Sequence, residues 1–134
     1  AGRQGGRALW GGPAAFVGAM GLGGVLAWTG GALPHVETAI ALSVLLLGLL
    51  VATQRRASVI VGMGIAGTFA LFHGYAHGME MPEATSPVRY ALGFVLPTAC
   101  LHGVGIAGGL LGRRAMRMAG IGIAATGAAL LVLA

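Results

Sequence analysis

The chain has 134 residues, of which 57% are hydrophobic and only 8% charged, and eight Arg against three Glu give a net charge of +5. Soluble domains carry roughly a quarter charged residues, so the composition excludes an ordinary soluble domain and points to an integral membrane protein. The basic residues sit in short segments between apolar runs, which is a topology signal rather than a nucleic-acid footprint. A single cysteine, Cys100, leaves no intrachain disulfide, and no cleavable signal-peptide pattern is visible.

About five spans of about 20 apolar residues fit this length, so we read one membrane domain over residues 1–134, an all-α polytopic helix bundle. Ala1–Arg7 is short, Gly-rich and basic, and reads as cytoplasmic. The first span covers about 8–31. Trp10 and Trp28 lie near its ends, about 27 Å apart at the helical rise, and read as interfacial anchors. A turn from Gly30 to His35 leads to the second span, about 36–53, whose Leu45–Leu50 centre carries no polar group and which ends at Gln54-Arg55-Arg56. The third span, about 57–81, carries Gly62, Gly64 and Gly67, expected to let a neighbouring helix approach closely. It closes in Phe72-His73-Gly74-Tyr75-Ala76-His77-Gly78-Met79-Glu80-Met81-Pro82.

A polar turn bounded by Pro82 and Pro87 precedes the fourth span, about 88–112. Pro97 interrupts that span and is expected to kink it, because it lacks an N–H and its ring displaces an earlier carbonyl. His102 lies beyond, followed by Gly103, Gly105, Gly108, Gly109 and Gly112, read as another close-packing surface. Arg113, Arg114 and Arg117 read as the next loop, and the fifth span covers about 118–134.

The charges alternate with the spans. Arg pairs or triplets occur at the start, after span two and after span four, whereas the two intervening loops carry Glu37, Glu80 and Glu83 against Arg89 alone. That pattern predicts a cytoplasmic start in a bacterial inner membrane. It puts His35, Glu37, His73, His77, Glu80 and Glu83 at or near the periplasmic side, with His102 deeper.

Spacings of three and four residues put His73, His77 and Glu80 on one helix face. Two imidazoles and a carboxylate can bind a divalent ion, and neutral imidazole suits Ni, Cu, Zn and Co. Interhelical hydrogen bonding, with the histidines as structural glue, is the competing reading. Gly74 and Gly78 are rotated about 100° from the two histidines, so one face could pack against a helix while the next presents imidazoles. His35 and Glu37 open span two on the same side, where polar helix ends are common and Glu37 suits the helix dipole; a metal role is the alternative. His102 is read either as part of an ion pathway or as a satisfied structural residue. Cys100 points away from His102 on a helix and reads as a small packed residue. Met79 and Met81 lie on opposite sides of Glu80 and read as packing rather than as soft ligands. The chain has no Asp or Lys, and neither a P-loop nor a Ser-His-acid pattern is visible.

The segment from Phe72 to Glu80 resembles the signature of the HupE/UreJ family of nickel or cobalt permeases. Pro13–Met20, the Glu37–Leu50 run and the Gly-rich fourth helix with His102-Gly103 are also similar. The resemblance implies a secondary transporter, found beside hydrogenase or urease functions, in which His73, His77 and Glu80 match metal-linked positions. It implies Ni²⁺ or Co²⁺ as the transported ion, with no permanent cofactor and no enzymatic activity. The family also has an earlier first-helix motif with His-Pro and a later Asp-His pair. This chain has no Asp and starts at Ala1, so either one upstream helix is missing from the sequence or this form lacks the motif.

The expected partners are therefore a divalent metal ion and the lipid bilayer, with other membrane subunits or a second copy as further candidates and no nucleic acid. The alternative function is a non-transporting membrane subunit of a larger complex in which the His/Glu stripe is structural. A haem or di-metal oxidase ranks third, since four histidines are few for that chemistry.

Overall fold

A computed structural model describes residues 7–55, 58–83, 85–109 and 112–133, with side chains from Gly11 onward. Among them it forms five helices and no strand: α1 (Arg7–Trp28), α2 (Val36–Thr53), α3 (Val59–Met79), α4 (Pro87–Gly108) and α5 (Arg113–Leu133). All five are long and apolar enough to cross a membrane. The expected all-α polytopic bundle is therefore the fold. The Trp10 indole and the Ala1–Gly6 segment lie outside the described residues.

Local chemistry sets the ends. The Thr29 hydroxyl donates to the carbonyls of Val25 and Leu26 at 3.1 and 3.0 Å, and Gly30 follows with φ +78°, so α1 stops before the predicted end. His35 takes a left-handed conformation (φ 57°) immediately ahead of α2, where His is tolerated better than most side chains. Ser58 caps α3, its hydroxyl accepting from the Val61 N–H at 3.3 Å. Pro87 opens α4 at a position where its missing N–H costs nothing. The described helix α4 runs on through Pro97 to Gly108, so the proline does not end it.

Two seams hold the bundle: α1 packs along α3, and α2 along α5, with lesser contacts between α2 and α3 and between α1 and α4. In the first seam Met20 lies against Gly74, and Gly24 and Ala27 against Gly78, so the two helices run parallel. In the second, Leu45 faces Gly127, Gly48 faces Ala124 and Ala52 faces Gly120, so those helices run antiparallel. This is the arrangement of spans that alternate in direction. It brings the ends bearing Arg55 and Arg113 together and leaves Glu37, Glu80 and Glu83 at the opposite end.

The buried core is small: Met20, Ala41, Ala70, Tyr75 and Ala124 are its apolar members. Large apolar side chains instead point outward on every helix, among them Leu22, Leu49, Ile60, Leu96 and Val132. That inside-out distribution suits a hydrocarbon solvent, in which association rests on close backbone packing rather than on apolar burial. The hydroxyls of Thr53, Thr68, Thr98 and Thr126 donate to carbonyls four residues back, which keeps them satisfied away from water.

Five expectations are corrected. Arg113, Arg114 and Arg117 lie in the first turns of α5, not in a loop. Gly62, Gly64 and Gly67 on α3 meet no neighbour, and neither do Gly103, Gly105 and Gly108 on α4, nor Gly112. Close packing falls instead to Gly74 and Gly78 on α3 and Gly120 and Gly127 on α5, each of which lies against the backbone of a neighbouring helix. Cys100 is exposed rather than packed, as is Met79, since α4 has no buried residue and α3 buries a different face.

Candidate functional site

The site is built on the last turns of α3, and its glycines aim it. A Cβ on Gly74 would collide with the Met20 carbonyl, and one on Gly78 would come 2.8 Å from the Gly24 carbonyl oxygen and 2.7 Å from the Ala27 Cβ. These positions are therefore fixed against α1. His73 and His77 each precede one of these glycines, a rotation of about 100°, so both imidazoles leave the helix beside the seam. His73 is exposed and His77 is partly buried.

The two imidazole rings meet edge to face, with centroids 5.0 Å apart and planes at 83°. Glu80 is the residue that ends α3, and its N–H donates to the carbonyls of Ala76 and Gly78. Its carboxylate Oε2 stands 3.8 Å from His77 Nδ1. On the other side, the His77 ring lies almost parallel to Phe94 of α4, with centroids 5.0 Å apart and planes at 5°. Tyr90 packs edge-on against Phe94 at 5.9 Å. His77, Glu80, Thr85, Arg89, Tyr90 and Phe94 line an open cleft of about 520 Å³ between α3 and α4.

A separation of 3.8 Å is too long for a hydrogen bond. It is close to the separation of two donors sharing one ion, roughly 3–3.5 Å for bonds of about 2.0–2.2 Å. His77 and Glu80 can therefore reach a common ion with a small side-chain adjustment. Among the described residues, no three His, Cys, Asp or Glu side chains converge on one point. His73 touches His77 through its ring edge, and Glu80 has left the helix, so the expected three-residue stripe is present as two adjoining pairs.

His102 stands apart on α4. Its ring packs on Phe16 of α1 at 5.0 Å, and its Nδ1 lies 2.8 Å from the Thr98 carbonyl oxygen. A carbonyl can only accept, so Nδ1 is the donor of this pair and, in the neutral imidazole, Nε2 is the nitrogen left to meet an ion. With His77 level with Phe94 on an antiparallel helix, His102 falls level with about residue 69 of α3, one helical turn below His73. The order in depth is then Glu80, His77, His73, His102. His35 and Glu37 are exposed at the start of α2 and do not line the cleft.

Phe94 and Tyr90 were not picked out in the sequence, where Arg89 figures only as a charge on the outer side. The signal was available in part, since two aromatics four residues apart on the helix that follows the histidine segment share a face.

Comparison with known proteins agrees with this architecture. The profile of the family described as HupE / UreJ protein matches residues 1–130. Over 133 residues the chain is 47% identical to Protein HupE of Rhizobium leguminosarum bv. viciae, covering 96% of this chain and 70% of that protein. No solved structure matches the chain. On this evidence the five-span chain is a multi-pass membrane protein that belongs to the HupE/UreJ family, a family associated with nickel and cobalt transport.

Proposed function

We propose that the chain is a permease for a divalent transition-metal ion, nickel or cobalt, in a bacterial inner membrane with its N-terminal end cytoplasmic. The carrying observation is the pair His77 Nδ1 and Glu80 Oε2 at 3.8 Å, with the His73 ring against His77, at the mouth of a cleft. Exposed carboxylates at this end, Glu37 and Glu83 among them, would collect the cation, with His35 beside Glu37. His73, His77 and Glu80 would bind it, and His102 would take it deeper through its Nε2. Ligands that meet an ion two at a time suit hand-over better than a closed cage, which would hold its cargo. The ion is cargo, so no resident cofactor is required and no bond is made or broken as in an enzyme. Metal uptake into cells expressing the chain, with and without His73→Ala, tests this reading. Uptake unchanged in the variant would remove His73 from the site.

The absence of a three-donor convergence among the described residues, together with an α4 that buries none of its residues, favours a second reading. In it the chain is a non-transporting membrane subunit, α4 meets a partner protein, and the histidines are structural. Purification as a large complex without near-stoichiometric metal would favour this second reading over the first.

A further inference from the structure

A second cavity lies at the end of the bundle opposite the histidines. It measures about 990 Å³ and opens between the end of α2 and the start of α5, with Gln54, Arg55, Arg113, Arg114 and Arg117 in its wall. The α2–α5 seam places these groups together: with Ala52 against Gly120, the chain leaves α2 beside the first turn of α5. The Gln54 side-chain amide then donates to the Arg113 carbonyl at 2.6 Å and ties the two ends. Arg113 and Arg117 share a face of α5, and Arg114 adjoins Arg117 three residues on.

All three carboxylates of the chain's side chains, Glu37, Glu80 and Glu83, are at the other end, so none can neutralise this group. A topology signal alone requires arginines only in the connecting segments on one side. It requires neither a cavity nor three of them on the first turns of one helix. Four guanidiniums around one open cavity repel one another and gain from a multiply charged anion. Their planar forks match phosphate oxygens two at a time, and the free N–H groups at the start of α5 add donors of the same sign. Basic pockets of this kind between membrane helices take phosphate head groups.

We infer that this cavity binds a phosphate group, a diester in an anionic lipid head group or a soluble phosphate. The test uses the full purified chain, stripped of lipid. It is exposed to phosphatidylcholine nanodiscs with and without diphosphatidylglycerol, or to inorganic phosphate in detergent, and bound species are counted by native mass spectrometry. The expected result is selective retention of a phosphate-bearing species. It weakens about tenfold or more in Arg114→Gln/Arg117→Gln, consistent with the loss of charge-assisted bonds, is partly kept in Arg114→Lys/Arg117→Lys, and is unaffected by Arg89→Gln at the far end. Retention of the diphosphatidylglycerol alone identifies a head-group site, and retention of or displacement by inorganic phosphate identifies a soluble occupant. Competition on the unmodified chain needs no variant to fold. Failure of the unmodified chain to retain either species selectively overturns the inference, and so does an equal loss in Arg89→Gln.

Discussion

The His77 imidazole lies flat against the Phe94 ring, 5.0 Å between centroids and 5° between planes, and this contact joins α3 to α4 at the cleft. It holds the imidazole in one plane while Nδ1 faces Glu80. An aromatic pair of this kind contributes about 0.5–1.5 kcal/mol, which corresponds to roughly two- to tenfold in an equilibrium. Phe94→Ala is therefore expected to raise the apparent KM for metal uptake by roughly that factor, and Phe94→Tyr to leave it near the original value. An unchanged KM in Phe94→Ala would show that the stacking does not orient the site.

The ligand assignment has its own signature in equilibrium binding. Loss of groups that merely orient metal ligands costs about ten- to a hundredfold in affinity, and loss of a ligand should cost at least the lower figure. Calorimetric titration of Ni²⁺ or Co²⁺ should show His77→Ala and Glu80→Gln each weakening binding by about tenfold or more. His35→Ala, outside the cleft, should have a smaller effect. An equal effect for His35→Ala would move the binding site towards α2.

The α1–α3 seam makes a stability prediction that is independent of metal. Gly74→Ala drives a methyl into the Met20 backbone, and overpacking of this kind costs about 1–3 kcal/mol. Gly62→Ala adds a methyl to open space on the same helix and should change stability by no more than about 0.5 kcal/mol. Thermal unfolding in detergent compares the two, and equal midpoints would contradict the seam.

His102 and the outer pair should separate kinetically. His102 lies about one turn deeper than His73, with its Nδ1–H committed to the Thr98 carbonyl. His102→Ala is expected to lower the maximal uptake rate several-fold with little change in KM, whereas His77→Ala should raise KM. A matched change in KM for both variants would place both histidines in one binding step.

Much of this architecture can be read from the chain. Arg pairs and apolar runs gave five spans and their alternation, because the bilayer imposes length and charge rules on each span separately. The Gly74/Gly78 face was legible for a similar local reason: glycines at i, i+4 lie on one side, and the histidines beside them must lie off it. The pairing of helices was not legible, since α3 offers Gly62, Gly64 and Gly67 as readily as Gly74 and Gly78, and only register with Met20, Gly24 and Ala27 on α1 selects between them. The Arg113–Arg117 turn was misassigned because charge suggests a loop, whereas a helix extending beyond its apolar part carries those charges in its first turns. Phe94 escaped notice because its role depends on α4 lying beside His77, a tertiary fact with no local pattern.

Reconstitution gives the most direct measurement of the central claim. The purified chain is placed in liposomes, and entry of Ni²⁺ or Co²⁺ is followed against protein-free liposomes and against the His73→Ala/His77→Ala variant. The account predicts saturable entry with the unmodified chain and loss of most of it in the double variant, at unchanged protein content and helicity. Entry at the same rate in the double variant, or none above protein-free liposomes with the folded unmodified chain, would contradict it.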